Sequence, residues 1–89
     1  MKRVDSAKAF AARAVELYAK VVPPDTQSCY LGLAYLALGR ALLASGRADE
    51  ARPAFTSAAE QLRPTLGANH RRTREAERLA GNAAERRVN

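Results

Sequence analysis

Residues 35–58 read YLALGRALLASGRADEARPAFTSA, and this stretch decides the fold of the 89-residue chain. Its two halves are separated by Ser45-Gly46-Arg47, a combination typical of a turn. Within each half, apolar residues recur at steps of three and four: Tyr35, Leu38 and Leu42, then Ala51, Phe55 and Ala58. Such steps place side chains on one face of a helix. The stretch therefore predicts a helical hairpin whose apolar faces meet.

The remainder of the chain extends this pattern to four predicted helices in a single domain, residues 1–89. Pro23-Pro24-Asp25 and Leu66-Gly67-Ala68-Asn69 are further breaks, because proline and glycine interrupt helices. The predicted helices span residues 5–21, 26–45, 48–64 and 73–87. We expect Thr26 to cap the start of the second helix and Gly46 to end it in a left-handed conformation.

The four predicted helices differ in how much of their surface is apolar. The expected buried stripe of the first helix is Ala7, Ala11, Ala14, Tyr18 and Val21, widened by Phe10 and Leu17. The second helix is apolar almost all round, which favours a central position covered on several sides. The fourth helix is much more polar, as is typical of a terminal helix with one solvated face.

Two short segments recur along the chain, which indicates an internal repeat. RVDSAK at residues 3–8 resembles RADEAR at residues 47–52, and LGRA at residues 38–41 resembles AGNA at residues 80–83. The first predicted helix therefore corresponds to the third, and the second to the fourth. We expect two staggered copies of one helical hairpin.

The central copy resembles the tetratricopeptide repeat (TPR), in particular the long-loop type found in kinesin light chain and in many bacterial signalling proteins. That type follows the pattern G-R-x-x-E-A-x-P, then a helix, then L-G-x-x-H-x-x-T. The matching residues are Gly46, Arg47, Glu50, Ala51, Pro53, Leu66, Gly67, His70 and Thr73. The resemblance implies an all-α, right-handed solenoid of two antiparallel hairpins that binds other proteins. Such a scaffold or adaptor stands alone or forms the C-terminal piece of a larger bacterial signalling or regulatory protein.

The resemblance also implies a partner-binding groove, because the first helix of each hairpin lines the concave face of such a solenoid. Those helices are the second and the fourth in this chain. The implied groove residues are Leu33, Leu36, Ala37, Arg40, Leu43, Glu75, Arg78, Leu79, Asn82 and Arg86. Leucines stand where the carboxylate-binding members carry lysine and asparagine, which argues against a chaperone-tail ligand.

Self-association is expected for so short an array, since about three repeats are usually needed for stability. In an alternative interpretation of the groove, a neighbouring repeat or a second copy of the chain covers Leu33, Leu36 and Leu43. We expect a homo-oligomer that uses the second helix and its groove neighbours.

The sequence contains no pattern that predicts catalysis or cofactor binding. His70 is the only histidine, and no cysteine or carboxylate stands near it at ligand spacing. Cys29, the only cysteine, lies in an apolar segment and is interpreted as a small core residue. The scattered glycines form no phosphate-binding loop. We therefore expect no catalytic, metal or cofactor site and no enzymatic activity.

The net charge of +6 is concentrated at the two ends of the chain. Residues 1–22 carry five basic and two acidic side chains, and residues 71–89 carry six and three. A basic helical nucleic-acid-binding protein is therefore the alternative function. Basic residues without a motif are a weak signal for nucleic acid, so we expect a protein or peptide partner instead.

The chain is expected to be cytoplasmic. Lys2 and Arg3 are followed by Asp5 rather than by the apolar run of a secretory signal. The most apolar stretch, residues 29–38, is much shorter than the roughly twenty residues that span a bilayer. We expect no membrane-spanning segment.

Overall fold

The computed structural model confirms an all-α chain with four helices. It describes residues 2–23 and 26–88, and the side chains of residues 6–23 and 26–81. The helices are α1 (Lys2–Val21), α2 (Cys29–Ala44), α3 (Ala48–Leu66) and α4 (Arg71–Val88). No strand occurs within the described residues. Each helix matches a predicted one, with boundaries that differ by three residues or fewer.

α2 begins at Cys29, so the prediction that Thr26 caps this helix is wrong. Ser28 is the cap: its Oγ accepts a hydrogen bond from the N–H of Leu31 at 3.2 Å. This bond satisfies one of the donors that a helix start leaves free. The N–H of Ser28 also donates to Oε1 of Gln61, on α3, at 2.9 Å. The contact with α3 thus fixes the start of α2 at Ser28.

The turn between α2 and α3 has the left-handed conformation predicted for Gly46. Gly46 has a φ of +79°, which residues with a Cβ atom disfavour. The N–H of Gly46 donates to the carbonyl of Leu43 at 3.0 Å, and that of Arg47 to the carbonyl of Leu42 at 2.9 Å. These bonds form a Schellman motif, which satisfies carbonyls at the end of α2. α3 can therefore turn back along α2 after a short connection.

Two glycines of α2 allow α3 to lie close against it. A Cβ atom added to Gly39 would lie 2.6 Å from Cε1 of Phe55, and one added to Gly32 would lie 2.7 Å from Cδ2 of Leu62. The two glycines are one heptad apart on α2, as Phe55 and Leu62 are on α3. Two large side chains of α3 therefore occupy two gaps on α2. The reversed order of the pairs shows that the helices run antiparallel, as the predicted hairpin requires.

The core lies mainly between α2 and α3, and α4 closes one side of it. Among the described side chains, those without any exposed surface are Ala51, Phe55, Ala58, Leu62, Thr73 and Ala76. Oγ1 of Thr73 has no hydrogen-bond partner within the described residues. α1 packs on α2, α2 on α3, and α3 on α4. Each helix therefore contacts mainly its neighbours along the chain.

The connection between α3 and α4 is shorter than predicted. α3 continues to Leu66, with Pro64 inside its last turn. α4 begins at Arg71, two residues before the predicted start. His70 explains the earlier start, because its Nδ1 accepts a hydrogen bond from the N–H of Arg72 at 3.1 Å. The imidazole ring thereby satisfies a free donor in the first turn of α4.

One face of α1 that was expected to be buried is open to solvent. In α1, Val21 is 74% exposed and Phe10 is 78% exposed, whereas Ala11 is buried. α2 packs on α1 and on α3 and leaves one face open to solvent. The exposed residues of this face recur at steps of three and four: Tyr30, Leu33, Ala37, Arg40 and Ala44.

Candidate functional site

The open face of α2 lies beside the first half of α4, and an ion pair joins the two helices. Nη1 of Arg40 is 3.3 Å from Oε2 of Glu75. An open depression of about 380 Å³ lies next to this pair, lined by Arg40, Leu43, Ala44, Glu75, Arg78 and Leu79. We call it the aliphatic depression, because leucine and alanine side chains form half of its lining. It can accept an apolar group beside charged side chains.

A second depression extends from the first toward the start of α4. Its volume is about 820 Å³, and it is lined by Arg40, Asn69, Arg71, Arg72, Arg74, Glu75 and Arg78. We call it the basic depression, since five of these side chains are guanidinium groups. Arg40, Glu75 and Arg78 line both depressions. A single bound segment can therefore contact the two depressions at once.

Glu75 organises the charges of this surface. Its Oε1 lies 3.0 Å from Nη1 of Arg72, while its Oε2 faces Arg40. The Glu75 side chain is 18% exposed, and the two arginine side chains are about half exposed. Ion pairs between exposed groups add only about 0–1 kcal/mol to stability. The main effect of the two pairs is thus to position Arg40 and Arg72 at the border of the two depressions.

Three other arginines of the basic depression carry uncompensated charge. Arg71, Arg74 and Arg78 are exposed, and none of them forms an ion pair with another side chain in the part of the chain that the structure describes. Their guanidinium groups therefore remain available to an anionic ligand.

The structure brings together half of the residues implied for the groove. Arg40, Leu43, Glu75, Arg78 and Leu79 line the aliphatic depression. Ala37 is exposed on the open face of α2, and Leu33 is 37% exposed there. Asn82 and Arg86 lie outside the residues whose side chains are described.

The expectation that Leu36 belongs to an exposed patch is wrong. Leu36 is 3% exposed and lies in the core cluster that contains Phe55. It follows Gly32 by four residues and precedes Gly39 by three. Leu36 therefore shares the helical face that these glycines turn toward α3.

Exposed apolar side chains of α1 and of the start of α2 form a second surface, of which only Leu33 had been assigned to a binding surface from the sequence. We call it the N-terminal apolar surface; it comprises Phe10, Leu17, Tyr18, Val21, Tyr30 and Leu33, the large hydrophobic side chains that are exposed among those described. Phe10, Leu17 and Val21 are spaced to share one face of α1. Tyr18 stacks on Tyr30 of α2, with ring centroids 6.0 Å apart, and so joins this face to α2.

The remaining candidate groups have structural environments. His70 caps α4, and Cys29 is a half-buried free thiol at the start of α2. Within the described residues, no three histidine, cysteine, aspartate or glutamate side chains are grouped so that they could hold a metal ion. No described helix combines the length and apolarity that crossing a membrane requires.

Comparisons of the chain with protein-family models, with curated proteins and with solved structures found no match. A functional assignment for this chain therefore rests on the geometry and charge of its own surfaces.

Proposed function

We propose that the chain is a non-enzymatic, cytoplasmic protein-interaction module of the tetratricopeptide type, and that it holds a partner segment between α2 and α4. The observation that carries this proposal is the juxtaposition of the open face of α2 with α4, which the pair Arg40–Glu75 joins at 3.3 Å. The aliphatic depression beside this pair offers an apolar contact, and charged groups border it. Protein interfaces combine these features, with an apolar centre and a polar rim.

The packing of the helices supports a repeat architecture. Contacts between helices are mainly sequential, and repeat arrays are assembled from units that contact their neighbours. Gly39 and Phe55 meet at the close crossing of α2 and α3, and both belong to the central copy of the repeat. The Schellman turn at Gly46 completes the hairpin.

The N-terminal apolar surface and the start of α4 have opposite character, which supports a terminal position in an assembly. In the N-terminal apolar surface, Phe10, Val21 and Tyr30 are each exposed by 65% or more. Such exposure is expected of a unit on which another hairpin or another copy of the chain stacks. The described start of α4 is instead rich in arginine and solvated. Capping units of repeat arrays have such a polar outer face.

Nucleic-acid binding is the second candidate function, and the basic depression favours it. Five arginines there could neutralise backbone phosphates. However, no aromatic side chain lines either depression, and proteins that bind single strands commonly stack bases on aromatic rings. The aliphatic depression also has no counterpart in backbone recognition. Protein remains the better supported partner.

We expect the chain to select peptides from a random displayed library, and to bind them through the aliphatic depression. Leu79→Glu, or the milder Ala44→Glu at an exposed position, should weaken peptide binding at least about tenfold, because each places a carboxylate where an apolar group is desolvated. Fluorescence anisotropy of the selected peptides measures the change. Thr65→Glu, which adds the same charge to an exposed position on α3, is the matched control and should bind normally.

The same anisotropy assay with duplex DNA separates the two candidate functions. If DNA binds tightly at about 50 mM salt and loses most of its affinity at about 200 mM, while no peptide is selected, the protein-interaction proposal is wrong.

We further propose that the isolated chain self-associates through the N-terminal apolar surface, rather than through Leu36. A second copy is the occupant that can cover this surface on both molecules at once, since a two-fold pair uses the same patch twice. Covering each large side chain contributes roughly 1.5–3 kcal/mol on full burial. This is a large share of the few kcal/mol by which a small domain is stable.

Light scattering should therefore give a mass of at least twice 9.6 kDa for the wild-type chain. Phe10→Glu and Val21→Glu should reduce the mass to that of one chain without loss of helicity, because both residues are exposed. Leu36→Glu should instead unfold the chain, because it puts a charge into the core. A folded wild-type monomer at high micromolar concentration would refute self-association. The expected occupant of the N-terminal apolar surface would then be a different repeat.

A further inference from the structure

We propose that the basic depression binds a phosphoryl group carried by the partner segment, so that phosphorylation of the partner controls its binding. This inference rests on the proposed protein-interaction function and names the chemistry of the ligand at the same surface. Three features of the surface favour this ligand: the number of unpaired guanidinium groups, their place at the start of α4, and the neighbouring aliphatic depression.

The charge of the basic depression exceeds what its own residues can neutralise. Its lining contains five guanidinium groups and one carboxylate, that of Glu75. Glu75 already pairs with Arg40 and Arg72. Arg71, Arg74 and Arg78 have no acidic partner among the described side chains. A bound anion would find several donors that require no existing ion pair to break.

The arginines also stand where a helix favours the opposite charge. The first turn of α4 contains no acidic residue, but it contains Arg71, Arg72 and Arg74. The N-terminus of a helix carries a partial positive charge, which stabilises anions and disfavours cations. α3 follows the ordinary rule, with Asp49 and Glu50 in its first turn. An anion bound to the basic depression would relieve the repulsion at the start of α4.

A phosphoryl group fits this surface better than a single carboxylate does. A phosphorylated side chain carries a charge of about −1.5 to −2 and three strong acceptor oxygens. Guanidinium groups bind such oxygens with paired hydrogen bonds of fixed geometry. A carboxylate has one negative charge and would leave most of the excess charge of Arg71, Arg74 and Arg78 uncompensated.

The aliphatic depression indicates that the phosphoryl group belongs to a protein segment. It shares Arg40, Glu75 and Arg78 with the basic depression, so the two form one continuous surface. A phosphorylated side chain and an aliphatic side chain of the same peptide can therefore be held together. A free phosphate ion would use the basic depression alone.

The test compares phosphoserine peptides with matched unphosphorylated ones. Fluorescence anisotropy measures binding of the intact chain to three versions of one degenerate peptide library. The versions carry phosphoserine, serine or aspartate at the central position. Inorganic phosphate is the probe for a free ion, and duplex DNA is the probe for a nucleic-acid backbone. We expect phosphoserine peptides to bind about tenfold tighter or more than serine peptides, the gain typical of one charge-assisted hydrogen bond. Aspartate peptides should fall in between.

Two pairs of substitutions with the same loss of charge locate the site. Arg71→Gln with Arg74→Gln should abolish the preference for phosphoserine, while leaving binding of the serine peptides nearly unchanged, because these two arginines line the basic depression but not the aliphatic one. Arg13→Gln with Lys20→Gln, at exposed positions of α1, should keep the preference intact. Thermal melting checks folding, and the first pair should melt no lower than wild type, because it removes two cations from the first turn of α4.

Each outcome decides between the proposals. Peptide binding without any preference for phosphoserine, or an equal loss of preference in both double variants, would overturn this inference and leave the interaction proposal standing. Competition of free phosphate with equal affinity would show that the ligand is an ion rather than a phosphorylated segment. Tight, salt-dependent binding of DNA with no peptide binding would overturn both proposals.

Discussion

Replacing Phe55 by alanine is expected to lower the free energy of unfolding by about 3–5 kcal/mol. Phe55 is fully buried, and its ring lies in the gap that Gly39 leaves on α2. Removing the ring therefore leaves a cavity between the two helices that form most of the core. Backbone movement can close such a cavity only in part, because α3 is also held by Leu62 at Gly32.

Urea denaturation measures this loss, and Phe10→Ala is the matched control. Phe10 is 78% exposed, so the same substitution there should change the free energy of unfolding by only about 0.5 kcal/mol or less. The comparison is made at low protein concentration, where self-association does not add to stability. If the two variants unfold at similar urea concentrations, Phe55 is not the centre of the core.

Replacing Gly39 by leucine is the second large effect, and we expect a loss at the upper end of the ~1–3 kcal/mol typical of overpacking, or beyond it. The first atom of any side chain at this position would already lie 2.6 Å from the Phe55 ring. The rest of the leucine would have to separate α2 from α3. Gly81→Leu is the control, since a Cβ added to Gly81 would meet no described atom within 4 Å beyond the backbone of its own helix. It should be neutral or stabilising, because leucine favours helix over glycine.

A double-mutant cycle tests whether the two residues share one space. Gly39→Leu combined with Phe55→Ala should destabilise by less than the sum of the single changes, because the leucine can enter the volume that the ring vacates. Denaturation curves of the four proteins give the coupling. Additive losses would mean that the two positions do not meet, and would contradict the close crossing of α2 and α3.

The sequence was informative where structure depends on local chemistry. The four helices follow from helical spacing, and the left-handed turn at Gly46 follows from the absence of a side chain at glycine. The proximity of Arg40 and Glu75 was expected too, because both positions were implied for one groove. Each of these features involves neighbours along the chain or consecutive helices.

The wrong predictions concern features that depend on packing against a neighbouring helix. Thr26 and Ser28 are both plausible caps, and Gln61 of α3 selects Ser28 by accepting its N–H. A wide apolar stripe, such as that of α1, does not reveal which of its edges will be covered. Leu36 was assigned to the wrong face: Gly32 and Gly39 together mark the face of α2 that meets α3, and Leu36 lies between them on that face.

The basic depression could be predicted only in part. Its arginines were visible as an excess of basic residues after position 70, but that excess equally fits a solvated helix. The sequence does not reveal that Glu75 pairs with both Arg40 and Arg72. This pairing leaves three other arginines uncompensated and makes the surface continuous with the aliphatic depression.

The position of a bound peptide tests the central claim most directly. The measurement is a titration of the ¹⁵N-labelled chain with the tightest peptide from the library, followed through the backbone amide resonances. An interaction surface between α2 and α4 predicts that the largest shift changes cluster around Arg40, Leu43, Glu75 and Leu79. Changes confined to α1 or to the solvated side of α3, or no change at saturating peptide, would contradict the account.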